Sequence, residues 1–269
     1  MRLLAGKRSS RLRALLIVAC VMAASPATAA EAGCAAFDHD HRVWTGLLAR
    51  HVRAGRVDYA GLARESAELD GYLHALSGVT RTCYDAWARV QRLAFWIDVY
   101  DAFTVRLVLD HYPLRSIRDI GLLPLAAFRQ KIVPMPGLRG ATLSLNDVEN
   151  DVLRGELAGE PRIHFAIVCA SKSCPPLRSE AYRGPDLDRQ LDEQTRAFLA
   201  DPAKNRVDAA AHTLFLSSIF KWFRADFEAA AGTVPAFVAR YLPPAGAAVA
   251  REPGVTVRYL DYDWSLNGR

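Results

Sequence analysis

No signature for a nucleotide, a dinucleotide or a nucleophilic serine occurs in the 269 residues, which contain no GxxxxGK[ST], no GxGxxG and no GxSxG. Cofactor-dependent hydride and phosphoryl chemistry has no support, so no cofactor is expected. Metal chemistry is equally unsupported, since HExxH, paired CxxC and carboxylate-rich calcium loops are all missing. Repeats, low-complexity tracts and linkers are missing too. Long apolar runs are scarce: ALLIVACVMAA, near the N-terminus, is about half of the ~20 residues a membrane-spanning helix needs. No transmembrane anchor is expected.

That apolar run follows MRLLAGKRSSRLR, which carries Arg2, Lys7, Arg8, Arg11 and Arg13 and no acid, and it precedes the small residues SPATAA. These are the three parts of a secretory signal, which places the mature chain in the periplasm or outside the cell, with cleavage after Ala29 or Ala30. Residues 1–30 are then a leader and 31–269 a single domain. Ile17-Val18-Ala19-Cys20 also resembles a lipobox, so a lipid tether at Cys20 is the less favoured alternative, because the apolar stretch before it is very short. Cleavage removes five of the 34 Lys and Arg and none of the 29 Asp and Glu, leaving a formally neutral protein. The basic pI near 9.0 therefore gives no argument for nucleic acid, which would need a local basic stripe.

Helical periodicity runs from Arg42 to Arg53, from about Leu62 to Leu76, and from about Asp85 to His111, where Pro113 stops it. The second half of the third helix, LAFWIDVYDAFTVRLVL, is apolar nearly all round, which predicts burial at the centre of the fold. FRQKIV and ATLSL read as two extended segments around a turn, and Ser144 with Asp147 as the start of a short helix ending near Arg154. RIHFAIV (162–168) reads as a buried strand opening into a loop at Cys169. A helix over 187–199, a hairpin at Val207 and 213–216, helical segments 220–227 and 235–241 and a strand over 255–260 complete the pattern. The class is α+β: a helix-rich N-terminal half with a long buried central helix, packed against a small, mainly antiparallel sheet from the C-terminal half.

Two features carry candidate chemistry. Asp98 and Asp101 share a face of the buried helix beside Trp96, and buried carboxylates need partners or protons. They either cap backbone groups within a structural network or form a site wall with shifted pKa values. The second feature is the stretch from His164 to Pro175. Cys169, where a strand opens into a loop of small residues that includes Ser173, is a candidate nucleophile whose thiolate backbone N–H groups would stabilise. Five residues of strand span about 16 Å and turn alternate side chains to opposite faces, which bars His164 from serving Cys169 as a base unless the strand bends. His111 and His212 are the other candidates. Cys169 also reads as a small buried hydrophobe or half of a disulfide; the four cysteines left after cleavage, Cys34, Cys83, Cys169 and Cys174, permit three complete pairings.

Several stretches taken together resemble one family, DUF547: Val57-Asp58-Tyr59 with Gly61-Leu62, AFWIDVYDAFTV (94–105), SLNDVENDVLR (144–154), PRIHFAIVCASKSCPPLRSEAY (161–182), IFKWFRADF (219–227) and YLDYDWSLN (259–267). It is a family of unknown function, found in exported bacterial proteins and in plant proteins. The resemblance places Trp96, Tyr100, Asn146, Glu149, His164, Cys169 and Pro175 on its motif positions. The chain departs from it at Asp98 and Asp101, where relatives carry asparagines; a carboxylate only accepts, so a donor role would be lost. Plant relatives tend to have serine near Cys174 while keeping the cysteine like Cys169, which implies separate roles for the two thiols.

The leading expectation is a thiol-dependent hydrolase or transferase acting on an amide or ester in the cell envelope. Cys169 is its nucleophile, His164 its base or a network residue, and Asn146 with Glu149 orient the histidine. Trp96, Asp98, Asp101 and Ser173 are the candidate binding residues. A non-catalytic module that binds an envelope protein or ligand through one polar network is the second expectation, and a redox pair of Cys169 with Cys174 the third.

Overall fold

The computed structural model describes residues 37–123 and 125–269. The expected leader, Cys20 and Cys34 lie outside the described residues. Helix α1 (Arg42–His51) leads into a short antiparallel hairpin of β1 (Val52–Arg53) and β2 (Arg56–Val57). Its turn needs Gly55, whose φ is 74° and where a Cβ would lie 2.2 Å from Pro176 Cβ. The single helix expected over 62–76 is two, α2 (Tyr59–Arg64) and α3 (Ser66–Ser77); Asp58 caps the first by accepting from Gly61 N–H at 2.9 Å. The third helical pattern likewise divides, into α4 (Arg81–Ala86) and the 22-residue α5 (Arg89–Asp110).

Between Leu93 and Leu109 of α5 only Arg106 escapes full burial, as the apolar pattern predicts. Its carboxylates staple other segments to the helix: Asp98 Oδ1 accepts from Tyr182 N–H at 3.1 Å and Asp101 Oδ1 from Val168 N–H at 2.7 Å. This is the backbone-capping alternative. Burial raises both carboxyls well above the ordinary carboxylate range.

β3 (Lys131–Met135) and β4 (Ala141–Ser144) form the expected antiparallel pair, with a bulge between Lys131 and Val133. Ser144 Oγ then accepts from Asp147 N–H at 3.1 Å and Asp147 Oδ2 from Ser144 N–H at 2.8 Å. The helix this capping box starts winds as a π-helix over Val148–Glu156, closing with Leu157 N–H donating to Val152 O at 2.8 Å. Its wider turn recurs at functional sites.

Residues 162–168 correct the strand expectation: Pro161–Phe165 is a 3-10 turn. Glu160 caps it by accepting from Arg162 N–H at 3.1 Å, and Pro161 is preset for a first helical position. The uninterrupted apolar run has another cause. Ile163, Ala166, Ile167 and Val168 belong to a core built around α5, whereas Phe165 points into a second core. A turn wedged between two cores is as apolar as a strand buried on both faces.

The second core is aromatic, with Phe165 5.1 Å from Phe198, 5.5 Å from Phe220 and 5.7 Å from Phe227, centroid to centroid. Helices α6 (Leu187–Ala200) and α7 (Arg224–Ala231) supply Phe198 and Phe227. Leu214 and Leu216 come from a three-stranded sheet in which β6 (Thr213–Ser217) pairs antiparallel with β5 (Arg206–Asp208) and parallel with β7 (Thr256–Leu260). The class is α+β, with strands spread over three small sheets. Among the described residues no helix is long and apolar enough to cross a membrane.

Candidate active site

A cleft of about 420 Å³ lies where the two cores meet, with Tyr100 of α5 on one wall and Ile219, Trp222 and Phe223 on the other. Cys169 lines it, half-buried, directly after the Val168 N–H that Asp101 holds. Ala170 takes a left-handed φ of 58°, and the chain turns to run beside the C-terminal tail. There Lys172 N–H donates to Ser265 O at 2.8 Å, Ser173 N–H to Asp263 O at 3.1 Å, and Asn267 N–H to Ala170 O at 3.0 Å.

The tail thus consumes backbone donors expected to face the thiol. The Cys169 N–H is engaged as well, by Cys174 Sγ at 2.8 Å. What surrounds Cys169 Sγ is hydroxyl: Ser171 Oγ at 3.1 Å and Tyr262 OH at 3.2 Å, the two being 3.2 Å apart. Burial opposes the thiolate. The Cys174 thiol, the two hydroxyls and the Ser171 N–H outweigh it and lower the Cys169 pKa to about 7. Burial and the neighbouring Cys169 push Cys174 the other way, well above an ordinary thiol. Both are free thiols, whereas Cys83 is disulfide-bonded. Pairings that engage Cys169 or Cys174 are therefore not those of this structure.

The π-helix supplies the facing wall. Glu149 lines the cleft. Burial, with the charges of Cys169 and Asp226 adding to it against Arg154, raises its pKa to about 7. One turn on, Arg154 forms a bidentate pair with Asp226 of α7 at 2.7 and 3.0 Å. Asp226 Oδ2 also lies 2.7 Å from His164 Nε2. Together the histidine and arginine hold its carboxyl well below the usual range.

His164 is buried and stacked on Phe223 at 3.9 Å, and burial lowers its pKa. The ring is neutral at pH 7, so its contact with Asp226 is a hydrogen bond donated by Nε2–H to a carboxylate, and Arg154 provides the countercharge. This tautomer leaves Nδ1 a bare lone pair, and Nδ1 has no hydrogen-bond partner.

Of the residues singled out in the sequence, Cys169, His164, Glu149 and Asn146 all line this cleft, as do Tyr100 and Pro175. The strand that separated His164 from Cys169 is absent, and with it the argument for opposite faces. Asn146 does not orient the histidine; it accepts from Asn150 Nδ2 at 3.2 Å, and Asn150 in turn accepts from Arg154 at 2.6 Å. Asp226 orients it instead. Trp96 is sealed in the core with its indole donating to Tyr84 OH at 2.9 Å, Asp98 and Asp101 cap backbone, and Ser173 Oγ accepts from Asp263 N–H at 2.8 Å. None of these four lines the cleft. His111 is occupied by Leu107 O, and His212 pairs with Glu252 at the surface. Sequence reasoning missed Asp226, Arg154, Ser171 and Tyr262; for Asp226 and Tyr262 the signal was a polar residue inside the apolar segments KWFRADF and YLDYDW. Among the described residues no cluster of three His, Cys, Asp or Glu side chains is gathered as around a metal ion.

No curated protein and no solved structure matches the chain. Residues 84–199 match the family model DUF547, described as a protein of unknown function. The matched stretch holds Glu149, Arg154, His164, Cys169 and Cys174, while Asp226 and Tyr262 lie beyond it, so the site combines residues of that stretch with side chains from the C-terminal part of the chain.

Proposed function

We propose that the chain is a thiol-dependent hydrolase or transferase that cleaves an amide or ester of the cell envelope, with Cys169 as nucleophile. One observation carries the reading: a thiol lowered to about 7 shares an open cleft with a carboxyl raised to about 7 and an imidazole whose free nitrogen is unpaired. Groups poised near the working pH exchange protons most effectively. The Cys169 thiolate attacks the substrate carbonyl carbon, a C–S bond forms, and the carbonyl π pair moves to oxygen beside the Tyr262 hydroxyl. Collapse breaks the bond to the leaving group, which takes its proton from Glu149. Water, or a second nucleophile in a transferase, then attacks the thioester carbonyl as His164 Nδ1 accepts its proton; collapse breaks the C–S bond and frees the Cys169 thiolate and the product, and the proton on His164 returns through solvent to Glu149. The experiment is capture of the acyl-enzyme: incubation with an activated ester such as p-nitrophenyl acetate and mass spectrometry of the intact protein and its Cys169 peptide. An acyl adduct on Cys169 that forms and decays during turnover is expected. Turnover undiminished in Cys169→Ala overturns the reading.

A redox pair is the second reading, supported by the proximity of the two free thiols and their opposite ionisation. It requires a reversible Cys169–Cys174 disulfide under a mild oxidant; thiols that both remain free under those conditions dismiss it. The binding-module reading loses its single network, because Asp98 and Asp101 serve separate backbone groups away from Asn146, Glu149 and His164.

A further inference from the structure

We infer that the acyl group handled at Cys169 is a hydrocarbon chain, so that the substrate class is a medium- or long-chain acyl ester or thioester rather than a peptide or an acylated sugar. This rests on the reading of Cys169 as nucleophile. The first observation is the composition of the cleft. The charged, amide and imidazole side chains that line it are Arg129, Glu149, Asn146, Asn150 and His164. The remaining walls include Leu125, Phe128, Ile167, Ile219, Trp222 and Trp264. Beyond the two indole N–H groups, these walls offer a peptide backbone or a sugar ring few hydrogen bonds in place of those it loses to water, at a cost for each polar group left unpaired. A polymethylene chain loses nothing and gains contact along its whole length.

The second observation is where apolar surface is left in water. Leu122 is fully exposed, Leu123 is 69% exposed, Trp222 47% and Leu125 42%. Leu125 and Trp222 line the cleft, and Leu122 and Leu123 precede Leu125 in the chain. Only Val43, Val90 and Tyr112 join them as exposed large apolar residues among the described ones. Two of the exposed apolar side chains, Leu125 and Trp222, are thus part of the cleft lining itself, and such surface marks sites where an apolar ligand enters. Leu125 holds a left-handed φ of 60° at the start of the one-turn helix that brings Phe128 and Arg129 to the cleft. Trp222, Tyr262 and Trp264 form an aromatic wall with centroids 4.7 to 5.9 Å apart. The volume, about 420 Å³, is that of a small-molecule pocket.

The test needs no knowledge of the natural substrate. Cys169 in the intact protein is alkylated with N-ethyl-, N-butyl- and N-octylmaleimide, and each rate is divided by that of the same reagent with a free thiol such as glutathione. A buried methylene contributes about fourfold, so even partial burial of the octyl chain predicts a normalised rate upward of about tenfold over the ethyl reagent. Trp222→Ala and Leu125→Ala should each shrink that octyl-to-ethyl ratio. A fast reaction that ignores chain length overturns the hydrocarbon assignment and leaves the nucleophile standing. A Cys169 that reacts with every reagent no faster than the same thiol in the unfolded chain overturns both.

Discussion

Replacing Asp98 and Asp101 by asparagine should flatten the protein's loss of stability with rising pH. Each carboxyl is buried, accepts one backbone N–H through Oδ1, and titrates well above its unfolded value of about 3.9. Between the unfolded and folded values the folded state holds a proton that the unfolded chain has released. Stability is therefore complete below the unfolded pKa and declines as pH rises toward the folded one. The slope is about 1.4 kcal/mol per pH unit for each group over the range between its unfolded and folded values. Asparagine retains the Oδ1 acceptor toward Tyr182 and Val168 and carries no titrating proton. The measurement is urea unfolding of the wild type, D98N, D101N and the double variant at pH 5, 6 and 7. The difference between variant and wild type should grow in favour of the variant with pH and be largest for the double. A difference independent of pH would refute the reasoning, since it would mean that both carboxylates are ionised inside the fold.

Two further substitutions separate the roles within the cleft. Glu149→Gln imitates the protonated carboxyl, so Cys169 should still alkylate rapidly at pH 7 while ester turnover falls about 10²- to 10⁴-fold with the loss of the proton donor; equal losses in both measurements would contradict that division. Tyr262→Phe removes one of the hydroxyls at the sulfur and should raise the midpoint of the Cys169 alkylation profile by about one pH unit, a shift that an unchanged midpoint would rule out.

The buried helix α5, the β3–β4 pair and the Ser144–Asp147 cap were legible because each has a local pattern: an apolar face all round, alternation about a turn, a capping box. The 3-10 turn at Pro161–Phe165 was not, because its apolar run serves two cores at once, which no one-dimensional period records. That misreading separated His164 from Cys169. The four cleft residues proposed from the sequence share one cavity, but the groups that tune them come from far along the chain: Asp226 stands 62 positions from His164, and Tyr262 93 from Cys169. Asp98 and Asp101 drew attention as buried carboxylates with shifted pKa values, which they are. Their work is to hold the backbone at Tyr182 and just before Cys169, so a perturbed pKa alone did not separate a site wall from a staple.

The central claim is that the fold ionises Cys169 near neutral pH. It is tested most directly by the rate of Cys169 carbamidomethylation with iodoacetamide from pH 5 to pH 10, read by mass spectrometry of its peptide. A profile that rises through a midpoint near 7, with Cys174 unreacted in the folded protein, is the predicted result. A midpoint at or above the ordinary thiol value of about 8.5, or a rate at pH 7 no greater than that of the unfolded chain, would contradict it.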